Sequence, residues 1–234
     1  AQAAIVTLSG TGFDVQYDDT LLGLFGTPTL SGNGQTIIFT PTQFSAFSLG
    51  AQGTVFKNDT VVFDLIPRGG NRVAQVTVLE AGDYKIVDRN ATGIDPTVDV
   101  SGEIRLTNLF DGVSFAQSTL IKNAPLNVVC PNSSCAPTPW TAAATVFAPV
   151  SWSDGTSPSS PTIGAPTVRF LLEDLLTAES FVIGDSAFIQ KKQASSTISI
   201  NVDIDNIDPV PVPPALPLLG TALVAMLGLR RRPA

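Results

Sequence analysis

The chain contains no histidine among its 234 residues. That absence removes the Ser-His-Asp and Cys-His catalytic arrangements and the usual His-bearing zinc sites. Carboxylate chemistry, calcium, or no chemistry at all is left. Charge is scarce as well. Asp, Glu, Lys and Arg make up 14% of the chain, against roughly 25% in ordinary soluble domains. Positive charge is the scarcer sign, with 13 Lys and Arg against 20 Asp and Glu and a net charge of -7. Nucleic-acid binding draws on a stripe of Lys and Arg that releases counterions from phosphate. The body has no such stripe, so no nucleic-acid partner is expected. Cysteine is limited to Cys130 and Cys135.

The chain is rich in residues that turn it and residues that bury it. Glycine (19) and proline (18) are plentiful and 44% of residues are hydrophobic. Many turns, few long helices and a sizeable core follow from this balance. Alternating or β-branched runs recur at 4–9, 13–17, 36–40, 60–66, 72–79, 97–107, 114–121, 141–152, 167–172, 181–190 and 196–205. The last is the clearest: Ile198, Ile200, Val202 and Ile204 alternate with Ser199, Asn201, Asp203 and Asp205, giving one apolar and one wet face. Turn signals fall at 31–34, 67–70, 80–83 and 111–112. The stretches 18–24 and 170–177 each suit a helical turn or two, and the second suits a strand equally well.

This pattern predicts an all-β protein, an antiparallel β-sandwich with Greek-key or jelly-roll connections, followed by a short C-terminal hydrophobic helix. The sandwich body covers 1–208. Its Pro-, Ser- and Thr-rich stretch at 131–166 is a point where it could subdivide. A single sandwich with elaborated loops is the preferred reading, because nothing there is long or charged enough to be a free linker.

Several groups are candidates for a site, each with a plainer reading beside it. Cys130 and Cys135 lie in a turn-rich Cys-Pro-Asn-Ser-Ser-Cys segment and suit a small disulfide loop in an oxidising compartment, or two free thiols. Asp203, Asp205 and Asp208, with Asn201, suit calcium. Alternation puts Asn201, Asp203 and Asp205 on one strand face, successive ones about 7 Å apart, which suits a solvated strand face as well. Trp140 and Trp152 flank an apolar strand and suit sugar stacking, or core packing. The glutamates Glu80, Glu103, Glu173 and Glu179 are scattered, and nothing in the spacing pairs two of them as a glycosidase would need. No catalytic residue is named, and an enzyme is not expected.

The end of the chain has three parts in order. A proline-rich linker (209–214) holds Val210, Pro211, Val212, Pro213 and Pro214. An uncharged apolar stretch follows from Ala215 to Leu229, and Arg230, Arg231 and Arg232 come after it. As a helix at about 1.5 Å per residue, the apolar stretch spans roughly 22 Å, short of the ~30 Å hydrocarbon core. Crossing would need help from its flanks, and the arginines favour a cytoplasmic end. Only Thr221 is polar within the stretch, so it lacks the wet face of a soluble core helix.

This tail resembles the PEP-CTERM class of bacterial sorting signals, in the variant whose motif reads Val-Pro-Leu-Pro-Ala. Here the motif is Val210-Pro211-Val212-Pro213-Pro214-Ala215, with Val in the Leu place and one extra Pro. The resemblance implies recognition by exosortase, a membrane protease-transpeptidase of Gram-negative bacteria that make exopolysaccharide and biofilm. It implies export, transient or retained membrane contact through 215–229, and release to the cell surface or matrix. At the other end, Ala1-Gln2-Ala3-Ala4 reads like residues around a signal-peptidase cut. The expected function is a non-enzymatic structural protein of the cell surface or extracellular matrix, associated with exopolysaccharide. Two alternatives stand beside it. One is a self-assembling filament subunit, a homo-polymer joined by strand complementation. The other is a carbohydrate-binding module.

Overall fold

The computed structural model describes residues 4–90, 93–132, 134–149, 152, 167–191 and 198–205. They form two sheets that share one core, the arrangement of a β-sandwich. The first sheet runs in the order β1 (Ile5–Ser9), β2 (Phe13–Asp18), β6 (Gly53–Pro67), β13 (Val168–Ser180), β8 (Thr97–Asn108) and β9 (Phe115–Thr119). The second runs β10 (Ile121–Lys122), β12 (Thr138–Phe147), β7 (Arg72–Val87), β15 (Ile198–Asp205), β4 (Thr36–Phe39) and β3 (Thr29–Leu30). Three more strands join the second sheet: β14 (Ser186–Lys191), β5 (Ser45–Leu49) and β11 (Val129–Cys130). Among the described residues, β11 alone pairs in parallel, along the end of β7.

Alternation decides which residues face inward. Phe13, Val15 and Tyr17 of β2 are buried while Asp14, Gln16 and Asp18 are half-buried on the other face. In β13 the inward set is Val168, Phe170, Leu172, Asp174, Leu176, Ala178 and Ser180. The two sheets meet through aromatic rings. Phe63 of β6 stacks on Phe170 at 4.6 Å and on Phe39 of the opposite sheet at 6.4 Å. Phe25, in a 3-10 turn at Gly23–Phe25, meets Phe39 and Phe44 edge-on at 5.8 and 5.6 Å. Each such ring contributes about 1.5–3 kcal/mol by burial, and each well-placed pair about 1 kcal/mol more.

The second sheet has a seam. One long strand, β7, is paired on one side by two shorter strands placed end to end: β15 along Arg72–Glu80 and β14 along Gly82–Val87. The next layer out repeats the break, with β4 beside β15 and β5 beside β14. Both breaks fall at the level of Glu80 to Asp83 on β7.

Several sequence expectations change. The stretch 170–177 is strand, inside β13. Its backbone groups are taken by ladders to β6 and β8 on both sides, and no helix can satisfy both ladders. Within 18–24, only the tail end joins a 3-10 turn. The turn expected at 80–83 is absent, and β7 runs straight through it. Strands that follow the 131–166 stretch pair with strands that precede it, as β13 does with β6 and β8. The described residues on either side of that stretch are therefore joined in the same sheets. The expected helix at 215–234 lies outside the described residues.

Candidate functional site

Three ionisable side chains meet between the sheets. Lys191 is the last residue of β14, where Ala187, Ile189 and Lys191 point inward. Glu80 takes an inward place on β7 after Val76 and Val78. Asp174 takes one on β13, in the other sheet, between Leu172 and Leu176. The Lys191 ammonium contacts Glu80 Oε2 and Asp174 Oδ2, and all three side chains are fully buried.

The seam is what puts Lys191 there. Its backbone N–H donates to Phe44 O at 3.0 Å, across the break between β4 and β5. Its side chain lies 5.2 Å from the Phe44 ring centroid and 5.7 Å from that of Trp140. Opposite it in register on β7 is Gly82. A β-carbon at Gly82 would clash with Gln190 O and lie 2.5 Å from Trp140 Cε2. Glycine at this place lets the indole close over the strand, beside the lysine. That close approach, and not a turn, is its role.

The electrostatics follow from burial. Taking a charge out of water costs several kcal/mol even after relaxation. Two ionised carboxylates and one ammonium would leave a net negative charge in the core. Burial, and next the charge of Asp174, push the Glu80 carboxyl well above its ordinary range, more than Lys191 pulls it down. Burial alone would lower the Lys191 value. The charges of Asp174 and Glu80, with their hydrogen bonds, outweigh that and hold it above the ordinary range. A protonated Glu80 and a charged Lys191 are therefore both favoured, which reduces the net charge buried in the core. Among the described residues, Glu80 Oε1, Asp174 Oδ1 and Trp140 Nε1 find no hydrogen-bond partner outside the cluster.

The sequence-level candidates fall elsewhere. Cys130 and Cys135 are joined in a disulfide, with Cα atoms 6.2 Å apart. It closes the loop that follows β11, next to Val87. Trp140 and Trp152 are 4% and 6% exposed and belong to the core. Asp203 is exposed on β15 and accepts a hydrogen bond from Gln75 Nε2 at 3.2 Å. Among the described residues no three His, Cys, Asp or Glu side chains gather where a metal ion could be held. Asp208, the motif Val210 to Ala215 and the arginines Arg230, Arg231 and Arg232 lie outside the described residues.

An open depression of about 340 Å³ lies against Tyr84, Leu126, Val128, Pro139 and Trp140. Among the described residues no carboxylate, lysine or arginine lines it, and the Tyr84 hydroxyl accepts from Val128 N–H at 3.1 Å. The chain matches no family model and no curated protein.

Proposed function

We propose that this chain is an exported, non-enzymatic structural protein of the surface or exopolysaccharide matrix of a Gram-negative bacterium, sorted by exosortase through its C-terminal tail. The observation that carries this reading is the order of body and tail. The last described strand, β15, sits inside the second sheet between β7 and β4 and ends at Asp205. The motif begins after it, at Val210. Cutting there removes no described strand, as a disposable sorting signal requires. The disulfide supports an oxidising destination.

Deleting 210–234 and following the protein tests the reading. The expected outcome is loss of surface or matrix delivery with a body that still folds. Unchanged localisation, together with a full-length intact mass for the wild type, rejects the sorting role.

A second reading, assembly into filaments, draws on β1. This strand ends the first sheet and pairs with β2 alone among the described residues, and its Ile5 is 69% exposed. An open edge of this kind accepts a strand from a second copy. Electron microscopy of concentrated protein decides it, and a field of monomers counts against it.

A further inference from the structure

We propose that the buried lysine is one half of a self-formed cross-link: an amide between Lys191 Nζ and Asp174 Cγ, tying the second sheet to the first, with Glu80 as the proton carrier. This is a modification site of the folded chain and does not depend on the sorting tail.

Contact is the first ground. The Lys191 amine already touches Asp174 Oδ2 and Glu80 Oε2, and the three residues come from three strands in two sheets. Reacting groups held together this way behave as if present at ~10⁵ M or more. Dryness is the second. In water an amine and an acid stay apart because both are ionised and well solvated. Here all three side chains are sealed from solvent, with the lysine between the Phe44 and Trp140 rings. Burial destabilises the ion pair, whereas an amide carries no charge and costs far less to bury. Unmet hydrogen bonding is the third. Outside the cluster itself, Asp174 Oδ1 and Glu80 Oε1 have no partner among the described residues, and condensation removes one Asp174 oxygen altogether.

The step balances without an oxidant or an activated carrier. The ammonium gives one proton to the Asp174 carboxylate, which becomes the acid. The freed amine attacks Cγ and the C–N bond forms. Glu80 gives its proton to the departing hydroxyl and takes the surplus one from nitrogen. The C–O bond breaks, one water leaves, and Glu80 ends as it began, protonated. Its contact with Lys191 Nζ places it to take the proton from nitrogen, and its side-chain hydrogen bond with Asp174 places it beside the departing oxygen.

Peptide mapping of the full-length folded protein tests the proposal. Trypsin cuts after Arg169 and Lys192 but not after an acylated Lys191. The linked chain is expected to yield peptide 170–192 lighter by one water. A further chymotryptic cut after Phe181 would leave its two halves joined. A peptide of full mass that falls into separate halves overturns the proposal, and this wild-type measurement stands whether or not any variant folds. Asp174→Asn is expected to give the same joined product as wild type, because ammonia leaves instead of water. Asp174→Ala and Glu80→Ala are expected to give linear peptides. Joined halves from Asp174→Ala would refute the assigned bond, and wild-type yield from Glu80→Ala would refute the carrier.

Discussion

The indole of Trp140 lies so close over Gly82 that a β-carbon there would sit 2.5 Å from Trp140 Cε2. Gly82→Ala must push apart a backbone carbonyl and a buried ring, neither of them a flexible chain end. Overpacking of this kind costs about 1–3 kcal/mol, and the upper end is expected. Urea unfolding followed by tryptophan fluorescence measures it. Gly32, where an added β-carbon would meet nothing within 4 Å, serves as the control. Gly32→Ala should stay within about 0.5 kcal/mol of wild type.

Glu80 makes stability depend on pH in an unusual direction for a carboxyl. Its folded value lies above the ordinary 4.5, so the folded state binds more protons than the unfolded state between those two values. Stability from this group is complete below the unfolded value and is lost as pH rises through the folded one. Burial, the largest cause, persists with or without the amide. Wild type should therefore lose stability relative to Glu80→Gln as pH rises above the ordinary carboxyl value of 4.5. Urea midpoints measured across a pH series check this, and a relative gain would mean Glu80 is ionised in the fold.

The disulfide restrains a short loop beside the end of β7. Loop entropy alone assigns such a bridge about 2 kcal/mol. Replacing Cys130 and Cys135 together with Ser should lower stability by about that amount, measured by denaturant unfolding. Reductant should move the wild type toward the variant and leave the variant unchanged.

Asp185 holds the turn before β14 to the end of β7. It is 1% exposed, and its Oδ1 accepts from Arg89 N–H at 2.9 Å and Asn90 Nδ2 at 3.0 Å. Asp185→Ala removes both bonds and leaves Asn90 Nδ2 only its bond to Ile183 O at 2.7 Å, at a cost of about 1–2 kcal/mol. Hydrogen exchange should then rise at Arg89 before it rises at the centre of β7. Equal exchange at both positions would argue against a local role.

Much of the sandwich is legible in alternation. The run Ile198 to Asp205 and the run from Phe13 read as strands close to their observed bounds, because one face of each is core. The first half of β6 does not, because Lys57, Asn58 and Asp59 look like a loop. Cross-strand neighbours on β13 hold them in the sheet. The turn signal at 80–83 comes from Gly82, whose small size instead serves Trp140, a contact far along the chain that no local pattern reveals. The stretch 170–177 is ambiguous in sequence because Leu171, Leu172, Leu175 and Leu176 also fit a helical stripe. Only the ladders on both sides decide against it. The lysine–carboxylate cluster leaves one local trace: Glu80, Asp174 and Lys191 each occupy an inward place in an alternating strand. Their meeting is a property of topology, since two sheets and a seam bring them together.

The interior place of β15 has a mechanical consequence. A force applied to the chain beyond Asp205, directed along the strand, does not peel hydrogen bonds one at a time as it would from an edge. It loads the ladder to β7 in shear, with the shorter ladder to β4 sharing the load at the far end. Rupture then requires many bonds to fail together. A chain held by that end would transmit tension into the middle of the second sheet, the part of the molecule best built to bear it.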